Sequence, residues 1–106
     1  MNQQTDLIMK ELKEGLQNKF NFVSGVILFG SHATGKAFEF SDYDILVIVR
    51  HPISWQQRRE ISDEIYSIDL KYNILTDVKF ISEQELKTLR GKQPFIQRAL
   101  QEGIVA

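Results

Sequence analysis

Five apolar residues in a row, Ile45-Leu46-Val47-Ile48-Val49, stand directly behind Asp42-Tyr43-Asp44. A run this short, mostly β-branched and without polar alternation, is a strand covered on both faces. Such a strand sits centrally in a sheet, and the rest of the chain must cover it from two sides. The other periodicities provide that cover. Ile8, Leu12, Leu16 and Phe20 recur every four residues with charged residues between them, which predicts an amphipathic helix between Gln4 and Phe20. Gly15 weakens it by about 1 kcal/mol of propensity. Val23 to Phe29 reads as another buried strand, stopped by Gly30. Ser54 with Gln57 has the form of a capping box, and Ile61, Ile65, Ile68 and Tyr72 then mark a second amphipathic helix. Ile74 to Ile81 reads as a third strand, and Ser82 with Glu85 opens a short helix. Pro94 suits a first helical turn, with Phe95, Ile96, Ala99 and Leu100 as the apolar face and Gly103 as the stop. The predicted order is helix, strand, strand, helix, strand, helix, helix. That is an α/β or α+β fold around a small sheet, expected as one domain over residues 1–106.

Composition narrows the chemistry. The 106 residues include no cysteine and two histidines, His32 and His51. Disulfides, thiolate zinc sites and a cysteine nucleophile are excluded, and any metal must be held by oxygen ligands. Thirteen basic side chains against fourteen acidic ones give a formal charge of −1. No strongly positive field of the kind that coats nucleic acid is expected. No apolar run is long enough for a membrane span and no leader pattern is visible, so the expected compartment is the cytoplasm.

The residues from Leu28 to Val49 carry the chemistry. Asp42 and Asp44 lie two apart at the start of a buried strand, where i and i+2 side chains share a face with Cα atoms about 6.5 to 7 Å apart. Both carboxylates can then reach one metal ion or a pair. Burying such acids unpaired is costly, and a bound cation would offset the cost. Gly30 and Ser31 end the preceding strand at a turn, with Ser31 placed to cap a short helix through Lys36. Exposed amides and a hydroxyl at such a turn suit phosphate oxygens. Asp77 adds a third acid on the third strand, positioned to complete a metal cage or to take a proton from an attacking hydroxyl.

Gly30-Ser31, nine intervening residues, and Ser41-Asp42-Tyr43-Asp44 resemble the Gly-Ser and Asp-x-Asp signature of the DNA polymerase beta-like nucleotidyltransferases, in their minimal form. Phe29, Ala33-Thr34-Gly35, the strand to Val49, Asp77 and Glu102-Gly103-Ile104-Val105 extend the likeness over nearly the whole chain. The resemblance implies a small mixed sheet of three to four strands flanked by helices. It implies a nucleoside triphosphate, such as ATP, bound by Gly30 and Ser31 with Ser41 and Lys36. It further implies two Mg²⁺ ions held by Asp42, Asp44 and Asp77, and transfer of a nucleoside monophosphate to a hydroxyl with release of pyrophosphate. His32 departs from the many relatives that carry Arg there. Small members resemble the antitoxin half of HEPN–MNT toxin–antitoxin pairs, which implies a helical HEPN-type partner as acceptor, or a homo-oligomer.

Competing readings attach to single residues. Asp42 and Asp44 could cap a turn and sit at a solvated strand edge, and Asp77 could lie at a strand edge in water. His32 and Lys36 suit solvent as well as phosphate, Lys79 could pair with Asp77 or with a phosphate, and Trp55, Phe38 and Phe40 are expected to pack rather than stack on a base. The expected partner surface is the apolar part of Phe95 to Val105 with the rim around Phe38 and Phe40. Against an enzyme acting on a protein stands a binding module that neutralises its partner by covering it. Transfer to a small molecule such as an aminoglycoside is disfavoured, because no second lobe is expected to hold one.

Overall fold

A computed structural model describes residues 3–37, 42–88 and 92–106. Its elements are α1 (Gln3–Lys19), β1 (Val23–Phe29), α2 (Ser31–Thr34), β2 (Tyr43–Val49), α3 (Trp55–Tyr72), β3 (Thr76–Ser82), a 3₁₀ turn (Glu85–Lys87), α4 (Pro94–Glu102) and β4 (Ile104–Val105). The four strands form one mixed sheet in the order β3-β2-β1-β4. β1 runs antiparallel to both β2 and β4, whereas β2 and β3 are parallel, joined through α3. The expected sheet of three to four strands flanked by helices is the one observed.

Strand alternation sorts the core into two layers. Tyr43, Ile45, Val47 and Val49 of β2 face α1 and α3, packing with Ile8, Leu12, Leu16, Ile61 and Ile65. Leu46 joins Ile27, Phe29, Ile81, Ile96 and Ala99 on the α4 side. Both faces of β2 are covered along its apolar run, with Ile45, Leu46, Val47 and Val49 buried and Ile48 partly so, as its lack of alternation requires. α3 begins where its capping box predicts: Gln57 N–H donates to Ser54 Oγ at 3.2 Å and Ser54 N–H donates to Gln57 Oε1 at 2.9 Å. It ends at Asn73, which takes the left-handed conformation (φ 54°) that asparagine tolerates.

Several expectations shift. β2 starts at Tyr43, earlier than the apolar run, because Asp44 pairs with Phe29 on one side and Asp77 on the other. β3 covers Thr76–Ser82 rather than Ile74 to Ile81, since the Asn73 cap and the residues after it turn the chain into the sheet. Ser82 and Glu85 do exchange bonds at 3.0 Å each, but they open a single 3₁₀ turn. β4 is a strand absent from the predicted order: two residues that Gly103 delivers to the edge of β1. Trp55, expected to pack, is 66 % exposed at the first helical position of α3. In α4, Ile96 and Ala99 are buried on the sheet, so of the expected partner surface Leu100 and Val105 remain outside. Phe38 and Phe40 lie outside the described residues.

Candidate active site

The acids gather at one end of the sheet. Asp44 and Asp77 occupy matched positions on the parallel neighbours β2 and β3, on the same face as Leu46 and Ile81, the side that α4 covers further along. Neighbouring strands lie about 4.8 Å apart, so the two carboxylates are flank to flank. Asp42 is exposed, immediately before β2. Partial burial raises the Asp44 carboxyl above the usual carboxylate range, and the negative charges of Asp77 and Asp42 push it further the same way. Lys79 and His32 act in the opposite sense on it. Three acids therefore share one electrostatic field.

Gly30 links this cluster to the turn after β1. Its φ of 75° and ψ of −156° belong to a region that side chains avoid. A Cβ built there would overlap Oδ2 of Asp44 and come within 3.0 Å of its Cγ. The Asp44 carboxylate lies directly on the glycine backbone, and no other residue leaves room for it. Ala33 and Thr34 amides return to the Gly30 carbonyl at 3.1 and 3.2 Å, which closes the short α2.

Here the expected cap is corrected: Gly30, not Ser31, is the N-cap, and Ser31 is the first helical residue, with no side-chain bond capping the helix. The helix stops at Thr34 rather than reaching Lys36, because Gly35 adopts the left-handed conformation (φ 76°) that ends it. Ser31 is partly exposed beside Gly30, and Lys36 is exposed beyond the cap. Ser41 lies outside the described residues.

Lys79 donates to Asp77 at 3.3 Å and lies 5.7 Å from the centre of the Phe95 ring. It thus takes the carboxylate partner foreseen for it, and Asp77 is half exposed on the edge strand. A contact that no sequence pattern announced is the stack of His32 on Tyr43, with ring centroids 3.7 Å apart and planes 8° from parallel.

The donor chemistry suits a hard divalent cation: carboxylate oxygens that repel one another, with the Asp44 carboxyl raised by burial first and by its acidic neighbours next. Among the described residues, no three His, Asp or Glu side chains are already drawn together around a point where an ion could sit. Among the same residues, no helix is long and apolar enough to cross a membrane.

Comparison with known proteins bears on the family and the fold. Residues 10–105 match the family described as polymerase beta, nucleotidyltransferase. A protein of Methanocaldococcus jannaschii assigned by inference as a protein adenylyltransferase is 33% identical over 82 residues, covering 76% of this chain and 82% of its own length. A solved toxin–antitoxin structure with AMP-PNP superposes with a TM-score of 0.62 at 18% identity, over 92% of this chain and 70% of the other. The complex of a tri-AMPylated HEPN toxin with an MNT antitoxin from Shewanella oneidensis gives a TM-score of 0.58 at 17% identity, over 94% and 69%. By the extent of the family match and by its archaeal relative, this chain belongs to the polymerase beta nucleotidyltransferase family.

Proposed function

We propose that this nucleotidyltransferase domain moves AMP from ATP to a hydroxyl on a partner protein, as the antitoxin of a HEPN–MNT pair. In this reading Gly30 and Ser31, with Lys36 and Ser41, receive the triphosphate, while Asp42, Asp44 and Asp77 hold Mg²⁺. The observation that carries it is the contact between Gly30 and the Asp44 carboxylate. A triphosphate resting on the Gly30-Ser31 turn has the acids beside it, because the turn and the acid strand touch. Bound Mg²⁺ would neutralise charge on the triphosphate and on the leaving pyrophosphate.

The chain's own residues do the rest. The turn orients the α-phosphorus, and the acceptor oxygen forms a new P–O bond as the bond to the β-phosphate breaks. The acceptor's proton passes to a carboxylate, and Asp77 is the one on the exposed edge strand, where an acceptor can approach. Lys79, at 3.3 Å from Asp77, must loosen for that to happen. A protein acceptor is supported by the archaeal relative's assignment and by the AMPylated toxin in the Shewanella oneidensis complex.

The test is to incubate the chain with α-labelled ATP and Mg²⁺, with and without the protein encoded beside it, and to follow the label by mass. Label on the partner that disappears in Asp44→Asn is the expected result. Neutralisation of the partner without label would favour a covering module, and efficient labelling of a free small molecule would overturn the protein acceptor.

A further inference from the structure

α2 has four residues, too few to hold its own orientation, yet it carries the turn proposed above to receive the triphosphate. What fixes it must come from outside, and two of its contacts are with β2. One is Gly30 against Asp44. The other is His32, whose ring lies parallel on Tyr43 at 3.7 Å. Tyr43 is a firm support: it is 6% exposed, sits between Asp42 and Asp44, and packs in the layer that holds α1 and α3. Its hydroxyl lies 3.4 Å from Thr5 Oγ1 of α1, so the phenol is held at its far end as well. Ala33 packs against the same layer from α2.

We infer that His32 is a positioning residue for the nucleotide: its flat ring, rather than its charge, sets α2 on Tyr43 and thereby the spacing between the Gly30-Ser31 turn and the acids. The geometry favours the ring. Two parallel planes at 3.7 Å use the full face of the imidazole, and a side chain without a plane cannot make that contact with Tyr43. This inference rests on the nucleotide reading of the turn and adds to it a residue whose role is mechanical.

Substitutions separate plane from charge. His32→Phe supplies a plane without charge, His32→Lys supplies a charge without a plane, and His32→Ala supplies neither. ATP affinity in the presence of MgCl₂ is measured by calorimetry on the full chain, with thermal unfolding recorded for each variant. The expected result is Phe within about twofold of wild type, and Lys and Ala weakened alike by about five- to tenfold, the range of one aromatic contact. Should Ala fail to fold, the Phe and Lys pair still decides, since both fill the space. Wild-type affinity in Lys with loss in Phe would overturn the inference, as would losses that merely follow melting temperature across all three. A wild-type chain that binds no ATP would instead remove the nucleotide reading itself.

Discussion

At the scale of single residues the site depends on one missing side chain and one strained charge. Gly30→Ala would have to open φ 75° to a side chain and push the Asp44 carboxylate aside. A loss of about 1 to 3 kcal/mol in stability is expected, with loss of ATP binding, checked by denaturant unfolding and calorimetry. An unchanged midpoint would refute the contact. Ser31→Ala should behave differently. Its hydroxyl makes no helix-capping bond, so the melting temperature should stay while ATP binding weakens by about 1 to 2 kcal/mol. Asp44 brings a pH signature. Its carboxyl is raised in the folded chain by burial first and by Asp77 and Asp42 next, so folding favours its protonated form. The charged form costs stability above the folded value, and that cost vanishes below the unfolded range near about 3.9. Asp44→Asn should therefore melt higher than wild type at neutral pH by a few degrees without metal. The advantage should shrink toward nothing as the pH falls into the acid range, and a lower melting temperature at pH 7 would contradict the charge assignment.

At the scale of elements, the parts that a local pattern governs were legible and the parts set by tertiary contact were not. Ser54 and Gln57 marked the start of α3 because a capping box is closed within one turn, so Ser54→Ala should cost about 1 kcal/mol, measured by urea unfolding. The apolar run of β2 announced a strand covered twice because lack of alternation has one structural cause. The Gly-Ser turn, Asp42, Asp44 and Asp77 were legible as a set of types and spacings, and the fold brings Gly30, Asp44 and Asp77 together. The two residues of β4 are too few to carry periodicity, and they become a strand only because β1 offers an open edge. The exposure of Trp55 depends on where the first turn of α3 stands relative to the sheet, which the helix pattern alone leaves open. The His32 stack was invisible for the same reason: its partner is eleven residues away on another element.

Over the whole molecule, the acids come together only when the β2-α3-β3 crossover is complete, since Asp44 and Asp77 lie at opposite ends of it in sequence. α3 is seated through Ile61, Ile65 and Ile68 and tied to α1 by Glu11, which accepts from Lys71 at 2.8 Å and from Tyr72 at 2.7 Å. Ile65→Ala should cost about 2 to 5 kcal/mol by cavity formation far from any substrate. Its effect on ATP binding should follow the folded fraction: at temperatures where the variant is folded its affinity should equal that of wild type. A specific loss of affinity in the folded variant would mean that the helix layer tunes the site directly.

The closeness of Gly30 to Asp44 also ties the histories of the two positions. An acid one methylene longer at 44 would need room that the glycine backbone already occupies, and any side chain at 30 would need the room that Asp44 fills. Neither can drift by itself while transfer is under selection. A descendant that keeps the fold only to cover a partner would be released from this pairing, and the acid is free to go first, since the backbone at 30 still demands a positive φ. If Asp44 serves as proposed, glycine at the turn beside a residue other than aspartate at the strand start would mark, among chains of this shape, the loss of catalysis before any other feature of the fold had changed.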